Sequence, residues 1–173
     1  MWPAGRPGGP HRLTNTLEAE LQIAKDVSLA ELDPAALIAL QRTGSCEFCL
    51  TEAFFDREHP GHYLRRIASV ELSVAGVAGP YRGAEVVLTL VKSAIRPNPG
   101  ASLVETVHDS RVEVIAGDER VAPFAGAGAI SEWQLELPAS HQFDFGTITD
   151  VNVRLVYTAC ARRRRASARA RRG

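Results

Sequence analysis

Period-two alternation of apolar and polar residues recurs along this chain, and no helix-length pattern separates one alternating run from the next. Trp133, Leu135 and Leu137 alternate with Glu132, Gln134 and Glu136. Ala68, Val70, Leu72 and Val74 alternate with Ser69, Glu71 and Ser73, and Val151, Val153, Leu155 and Tyr157 alternate with Asn152 and Arg154. Successive side chains of an extended strand point to opposite faces, so such a run buries one face and wets the other. Val112 and Val114 form a shorter run, and Ser45 to Leu50 is a further candidate. The stretch from Ala84 to about Ile95 is apolar on both faces, as a central strand covered on two sides requires. Six or so strands follow from this spacing. With turns between them and no crossover helices, the fold class is mainly β: an antiparallel β-sandwich preceded by short α-helices, with disordered termini.

The punctuation fits that plan. Pro60-Gly61, the segment from Gly79 to Gly83, Pro97-Asn98-Pro99-Gly100 and the Phe143–Gly146 loop are turns. Ahead of Trp133, a charged turn at Asp118–Arg120 leads to Pro123-Phe124, then to Gly126 and Gly128, whose free backbone allows a sharp bend into the strand that Pro138 ends. Residues 1–13 are Pro/Gly-rich and expected to be disordered. Asn15 with Glu18, and Leu17, Leu21 and Ala24 on one face, predict a short helix. Asp33-Pro34 as cap and first helical residue, Leu37 and Leu40 as the apolar side and Gly44 as the stop predict a second at about 34–42. The domain plan is therefore a disordered segment at 1–13, a helical lead-in at 14–44, the sandwich at 45–160 and a disordered Arg-rich tail at 161–173.

The formal charge of zero hides an asymmetry. Seven of 20 basic residues are arginines between Arg162 and Arg172, which leaves 13 against 20 acidic residues, or about −7, on the body. That sign is unsuited to nucleic-acid binding, whereas the tail alone suits nucleic acid or an anionic surface. No run approaches the roughly 20 apolar residues needed to span a bilayer. The first ten residues carry no apolar signal region, so a cytoplasmic location before any release is expected. Three cysteines imply no disulfide framework.

The candidates for chemistry are weak. Cys46 and Cys49 have redox spacing but sit on a predicted strand, where positions three apart point to opposite faces. Asp56, His59 and His62 have ligand character, yet they flank a Pro-Gly turn with no helix to align them. A metal set of Cys46, Cys49, His59 and His62 is a lesser alternative. His108 and Asp109 fall in a predicted loop. Gly126-Ala127-Gly128 feeds a strand and lacks the lysine of a phosphate loop. No nucleophile elbow is present. No enzyme activity, cofactor, metal or small-molecule substrate is expected.

Five separated segments resemble one known family. They are Leu29–Leu40, Thr43–Phe48, Phe55–Ile67, Gly79-Pro80-Tyr81 and the Asp118–Pro138 stretch. In this order they look like the C-terminal region of the A subunits of Tc insecticidal toxins, over roughly residues 17–160. The resemblance implies a non-enzymatic docking domain. In such toxins this region of a pentameric injection channel binds the β-propeller of the B subunit, whose cocoon with the C subunit holds the payload. It further implies that residues 17–30 end a returning pore helix, that five copies assemble, and that the complex acts outside the cell. Membrane contact would come only through a full-length A subunit. Ala125 departs from the family's usual acidic residue, and the chain lacks the shell and most of the pore. A fragment, a decayed gene and a separately encoded module all fit. Because loops on a rigid scaffold carry binding, the candidate protein-binding residues are Asp56, His59, His62, Tyr63, Phe124, Gly126 and Gly128. The alternative is a stand-alone binder of nucleic acid or anionic surfaces through the tail.

Overall fold

The computed structural model describes residues 19–77, 79–80, 84–116, 123–138 and 144–161. The expectations placed on residues 1–13, on Asn15, Leu17 and Glu18, on the 118–122 turn and on the tail beyond residue 161 lie outside them. The elements run β1 (Glu20–Ser28), α1 (Leu29–Leu32), α2 (Pro34–Thr43), β2 (Ser45–Leu50), α3 (Glu52–Asp56), β3 (Tyr63–Gly76), β4 (Gly79–Pro80), β5 (Glu85–Ile95), β6 (Val104–Ile115), β7 (Ile130–Glu136), a 3-10 turn (Phe145–Thr147) and β8 (Ile148–Cys160).

The strands form two four-stranded antiparallel sheets, ordered β1-β8-β3-β4 and β2-β7-β5-β6. Their inner faces close on one another. Val70, Leu72, Val74, Val151, Val153 and Leu155 come from one sheet, and Phe48, Val86, Leu88, Leu90, Trp133 and Leu135 from the other. Val70, Leu72, Val74, Val151, Val153, Leu155, Trp133 and Leu135 are residues that the alternation assigns to the buried face. Trp133 is 2% exposed, its indole Nε1 donates to Ser131 Oγ at 2.7 Å, and Phe124 meets it edge-on with centroids 4.9 Å apart. A buried indole with its N–H satisfied contributes its full apolar area to the core.

The predicted helix at 34–42 is α2. Asp33 Oδ1 accepts from the amide of Ala36, and Gly44 closes the helix at φ 74. The helix expected at residues 17–30 is instead β1, which pairs with β8 from Glu20↔Cys160 to Ser28↔Asn152. An isolated short helix is marginal in water, whereas the edge of β8 offers nine residues of ladder with Lys25 and Val27 turned inward. The sandwich therefore begins at Glu20, not at residue 45. α1 and α2 carry the chain from one sheet to the other, tied down by Asp150, which accepts from Ser28 Oγ (2.6 Å) and the amide of Ala30 (2.9 Å).

Two further segments differ from expectation. The loop that the sequence suggests from Phe54 to Tyr63 instead starts inside a helix, α3, which Thr51 caps through its hydroxyl and which ends at Asp56. His108 and Asp109 lie in β6, not in a loop. β6 is an edge strand whose inner-face positions His108 and Ser110 are polar, so its apolar alternation begins only at Val112 and Val114.

Register fixes which segments share an end. Cys160 lies opposite both Glu20 and Tyr63. α3, the 57–62 turn, the end of β5 and the 123–129 bend gather there, away from α2.

Candidate functional site

At this end the ordering element is a buried arginine. Alternation along the first part of β3 turns Tyr63, Arg65 and Ile67 inward, and a bulge between Ile67 and Ser69 then passes the inward positions to Val70, Leu72 and Val74. Arg65 is 2% exposed. Its Nη2 donates to Asp56 Oδ1 at 2.6 Å and to the carbonyl of His59 at 2.9 Å, while its Nη1 lies 3.9 Å from Glu52 Oε1. The guanidinium stands over Phe55, which packs edge-on against Tyr157.

α3 places Glu52 and Asp56 four residues apart, hence on one face. Glu52 receives a two-pronged contact from Arg96, Nε to Oε1 and Nη2 to Oε2, both at 2.7 Å. Hydrogen bonding from Arg96 holds the Glu52 carboxyl below the usual carboxylate range against the opposing effect of burial, aided by the charges of Arg96 and Arg65. Arg96 also donates to the carbonyl of Ala101, and its own carbonyl accepts from the amide of Leu64 at 2.9 Å. Leu64 has φ 50, the only non-glycine among the described residues at positive φ. Two guanidiniums and two carboxylates thus pin α3, β3 and the end of β5 together.

The 123–129 bend is sewn onto the same stretch of β3. The amide of Ile67 donates to the Ala127 carbonyl (2.8 Å), that of Gly126 to Ile67 (2.8 Å) and that of Ala129 to Arg65 (3.0 Å). Gly126 has φ 89. A Cβ on Gly128 would stand 2.2 Å from the Ala94 carbonyl oxygen, so only glycine fits that crossing. The Gly128 amide donates to Ser93 Oγ (3.2 Å), which is also 2.7 Å from His108 Nε2. Ser93 is buried, and this serine–histidine contact anchors the bend.

The structure brings all seven sequence-predicted residues to this end but divides their roles. Tyr63, Phe124 and Gly128 are buried and serve as framework. Asp56, His59, His62 and Gly126 reach the surface, and the two imidazoles stack with centroids 5.1 Å apart. Glu52, Arg65 and Arg96 were missed. Arg65 beside Arg66 reads as a solvated basic pair, and only the parity of Tyr63 and Ile67 around it signals an inward arginine. A cleft of about 230 Å³ opens between Glu52, Asp56, Gly61, His62, Arg96 and Pro99. A larger one, of about 460 Å³, lies on the other side of α3. It is bordered by Lys25, whose Nζ contacts Glu58 (3.1 Å) and the Phe54 carbonyl (3.2 Å).

The cysteine pair diverges as a strand requires. Cys46 faces the core, where burial, then Asp33 and Glu47, push its thiol up to about 11, and Cys49 faces solvent. Among the described residues, no group of three or more His, Cys, Asp or Glu is arranged to hold a metal ion, and no helix is long and apolar enough to cross a membrane.

Comparison with known proteins supplies what geometry cannot. The family profile described as the Tc toxin complex TcA C-terminal TcB-binding domain matches residues 11–116 and 108–159. The chain belongs to this TcB-binding domain family. A curated relative, toxin subunit YenA2 of Yersinia entomophaga, is 29% identical over 171 residues, covering 80% of this chain and 12% of the relative. The TcB-binding domain fold is thus seen here in a chain spanning about an eighth of that relative's length. A solved chain in the TcaA-TcaB structure of Yersinia pseudotuberculosis aligns over 82% of this chain and 10% of its own, with 14% identity and a TM-score of 0.49.

Proposed function

We propose that this chain is a docking domain that binds the B subunit of a Tc-type toxin, with the surface made by α3, the 57–62 turn and the 123–126 turn as the contact. The observation that carries the reading is the family match, which runs through both sheets. The placement of the contact follows from physics. Loops recognise partners best when a rigid scaffold holds them, and here two arginine–carboxylate pairs and the β3–bend ladder hold three loops at one end. The domain acts by binding and not by catalysis. As part of a toxin complex it works outside the producing cell. The partner surface is a β-propeller, and the domain is presented in five copies when carried by a complete A subunit. The family match ends at residue 159, short of the arginine tail.

The test is capture of a Tc B subunit by the purified chain, compared with charge-reversed variants at Arg57 and Glu58 and at Glu71 and Arg154 on a sheet face. Loss of capture with the first pair alone supports the placement. Equal loss with both pairs refutes it, and no capture by a folded wild-type chain refutes docking.

A further inference from the structure

His59 and His62 stack with ring planes 19° from parallel, between α3 and β3. His62 Nδ1 is buried and has no hydrogen-bond partner among the described residues. The charges around the pair come from three elements: Glu52 and Asp56 from α3, Arg65 from β3, and Arg96 from the segment after β5. Each carboxylate is already matched, Asp56 by Arg65 and Glu52 by Arg96. Within the turn itself Glu58 is engaged by Lys25, and Arg57 adds a further positive charge. A doubly protonated imidazole pair would therefore meet two guanidiniums and no uncommitted anion.

We propose that the 57–62 turn is a proton-operated latch, closed on Arg65 while the two imidazoles are neutral and released when both are protonated. The side chain of Arg65 ties to the turn through the His59 carbonyl, so the imidazolium charge develops beside the cation that holds the turn. Gly61, at φ 77 with nothing within 4 Å of a Cβ position, gives the turn a pivot and room to swing. Burial first, then His59 and Arg65, hold the pKa of His62 below the ordinary histidine value, with Asp56 opposing. A neutral His62 is thus the form the closed turn favours. The consequence for partner binding rests on the docking reading, whereas the latch is a property of the free chain.

Amide hydrogen exchange on the whole chain tests it, corrected for intrinsic rates, at about pH 7.5 and about pH 5.0, either side of the ordinary histidine value. Charges at this separation repel enough to change an opening equilibrium roughly fourfold in water and on the order of a hundredfold at protein-surface dielectrics. Protection of the Glu58, His59 and His62 amides should fall about five- to tenfold more in the wild type than in the His59→Asn/His62→Asn variant. The β7 amides around Trp133, which report global unfolding, should lose less protection than the turn does. Equal pH responses in the wild type and the variant overturn the latch, and so does loss of β7 protection in step with the turn. If the double variant does not fold, His62→Gln alone should reduce the response, and an unchanged response overturns the proposal. Capture of a B subunit at both pH values separates the two readings. No capture at either pH removes docking and leaves the exchange result standing, whereas pH-independent capture with an unresponsive turn removes the latch and leaves docking.

Discussion

Replacing Asp56 by alanine should destabilise the chain more than replacing Arg65 by methionine, although both break the Arg65–Asp56 ion pair. The asymmetry comes from exposure: the Asp56 side chain is 41% exposed and the Arg65 side chain 2%. Without Arg65, the Asp56 carboxylate rehydrates, and methionine refills most of the apolar volume beside Phe55. The residual loss is the bond to the His59 carbonyl and some packing, about 1–2 kcal/mol. Without Asp56, the guanidinium stays buried with its Nε already unpartnered among the described residues, Glu52 3.9 Å away and one carbonyl in reach. Removing one partner of a buried pair costs about 3–5 kcal/mol, and the exposure of the carboxylate places this case at the lower end, near 3. In a domain of this size that lowers the melting temperature by roughly 6–12 °C. The double variant, which buries no unpaired charge, should recover part of the loss. Urea unfolding followed by Trp133 fluorescence measures all three. A cost below about 1 kcal/mol for Asp56→Ala, or a double variant worse than the sum of the singles, would refute the assignment of Arg65 as a buried charge held by Asp56.

Gly128→Ala should cost about 3 kcal/mol because its methyl meets the Ala94 backbone, and Gly126→Ala about 1, because only its φ resists; the same urea transitions rank them. Tyr157→Phe should be neutral or stabilising by up to about 1 kcal/mol, since the buried hydroxyl has no partner among the described residues. Stability should fall in two acid steps. The folded pKa of His62 is lowered, so its contribution is complete above the unfolded value of about 6.5 and is lost as pH drops through that value toward the folded one. Glu52 is also lowered, so its contribution is present above its unfolded value of 4.5 and is lost as pH falls further toward its folded pKa. His62→Asn should erase the upper step and Glu52→Gln the lower in unfolding midpoints measured across pH. Iodoacetamide should label Cys49 well before Cys46, read by mass spectrometry of peptides, because one thiol is exposed and the other buried with a raised pKa.

The sandwich was legible wherever one face of a strand is buried, since Trp133, Leu135, Val70, Leu72, Val153 and Leu155 alternate as they must. It was illegible where the inward-facing residues are polar. β6 turns the polar His108 and Ser110 toward its half-buried face, so the chain around His108 looked like a loop. β1 carries an inward lysine at a position where an apolar residue would have completed the pattern, and Leu21 and Ala24 instead suggested helical spacing. The framework of the candidate site was hidden for a related reason. An arginine reads as surface unless its partners are known, and Asp56 and Glu52 reach Arg65 only after α3 folds. The glycines were readable because backbone constraint leaves a residue-type signature, while the ion pairs leave none.

The opposition of Glu20, Cys160 and Tyr63 across three neighbouring strands has a mechanical meaning. Under the proposed docking contact, tension between a partner at the 57–62 turn and the flanks of β1 and β8 would cross only the first few rungs of one sheet. The rest of the sandwich hangs outside that line of force, a ballast that keeps the rungs in register without bearing the pull. Such a junction gives way by unzipping one hydrogen bond at a time, so it yields at low force and can close again.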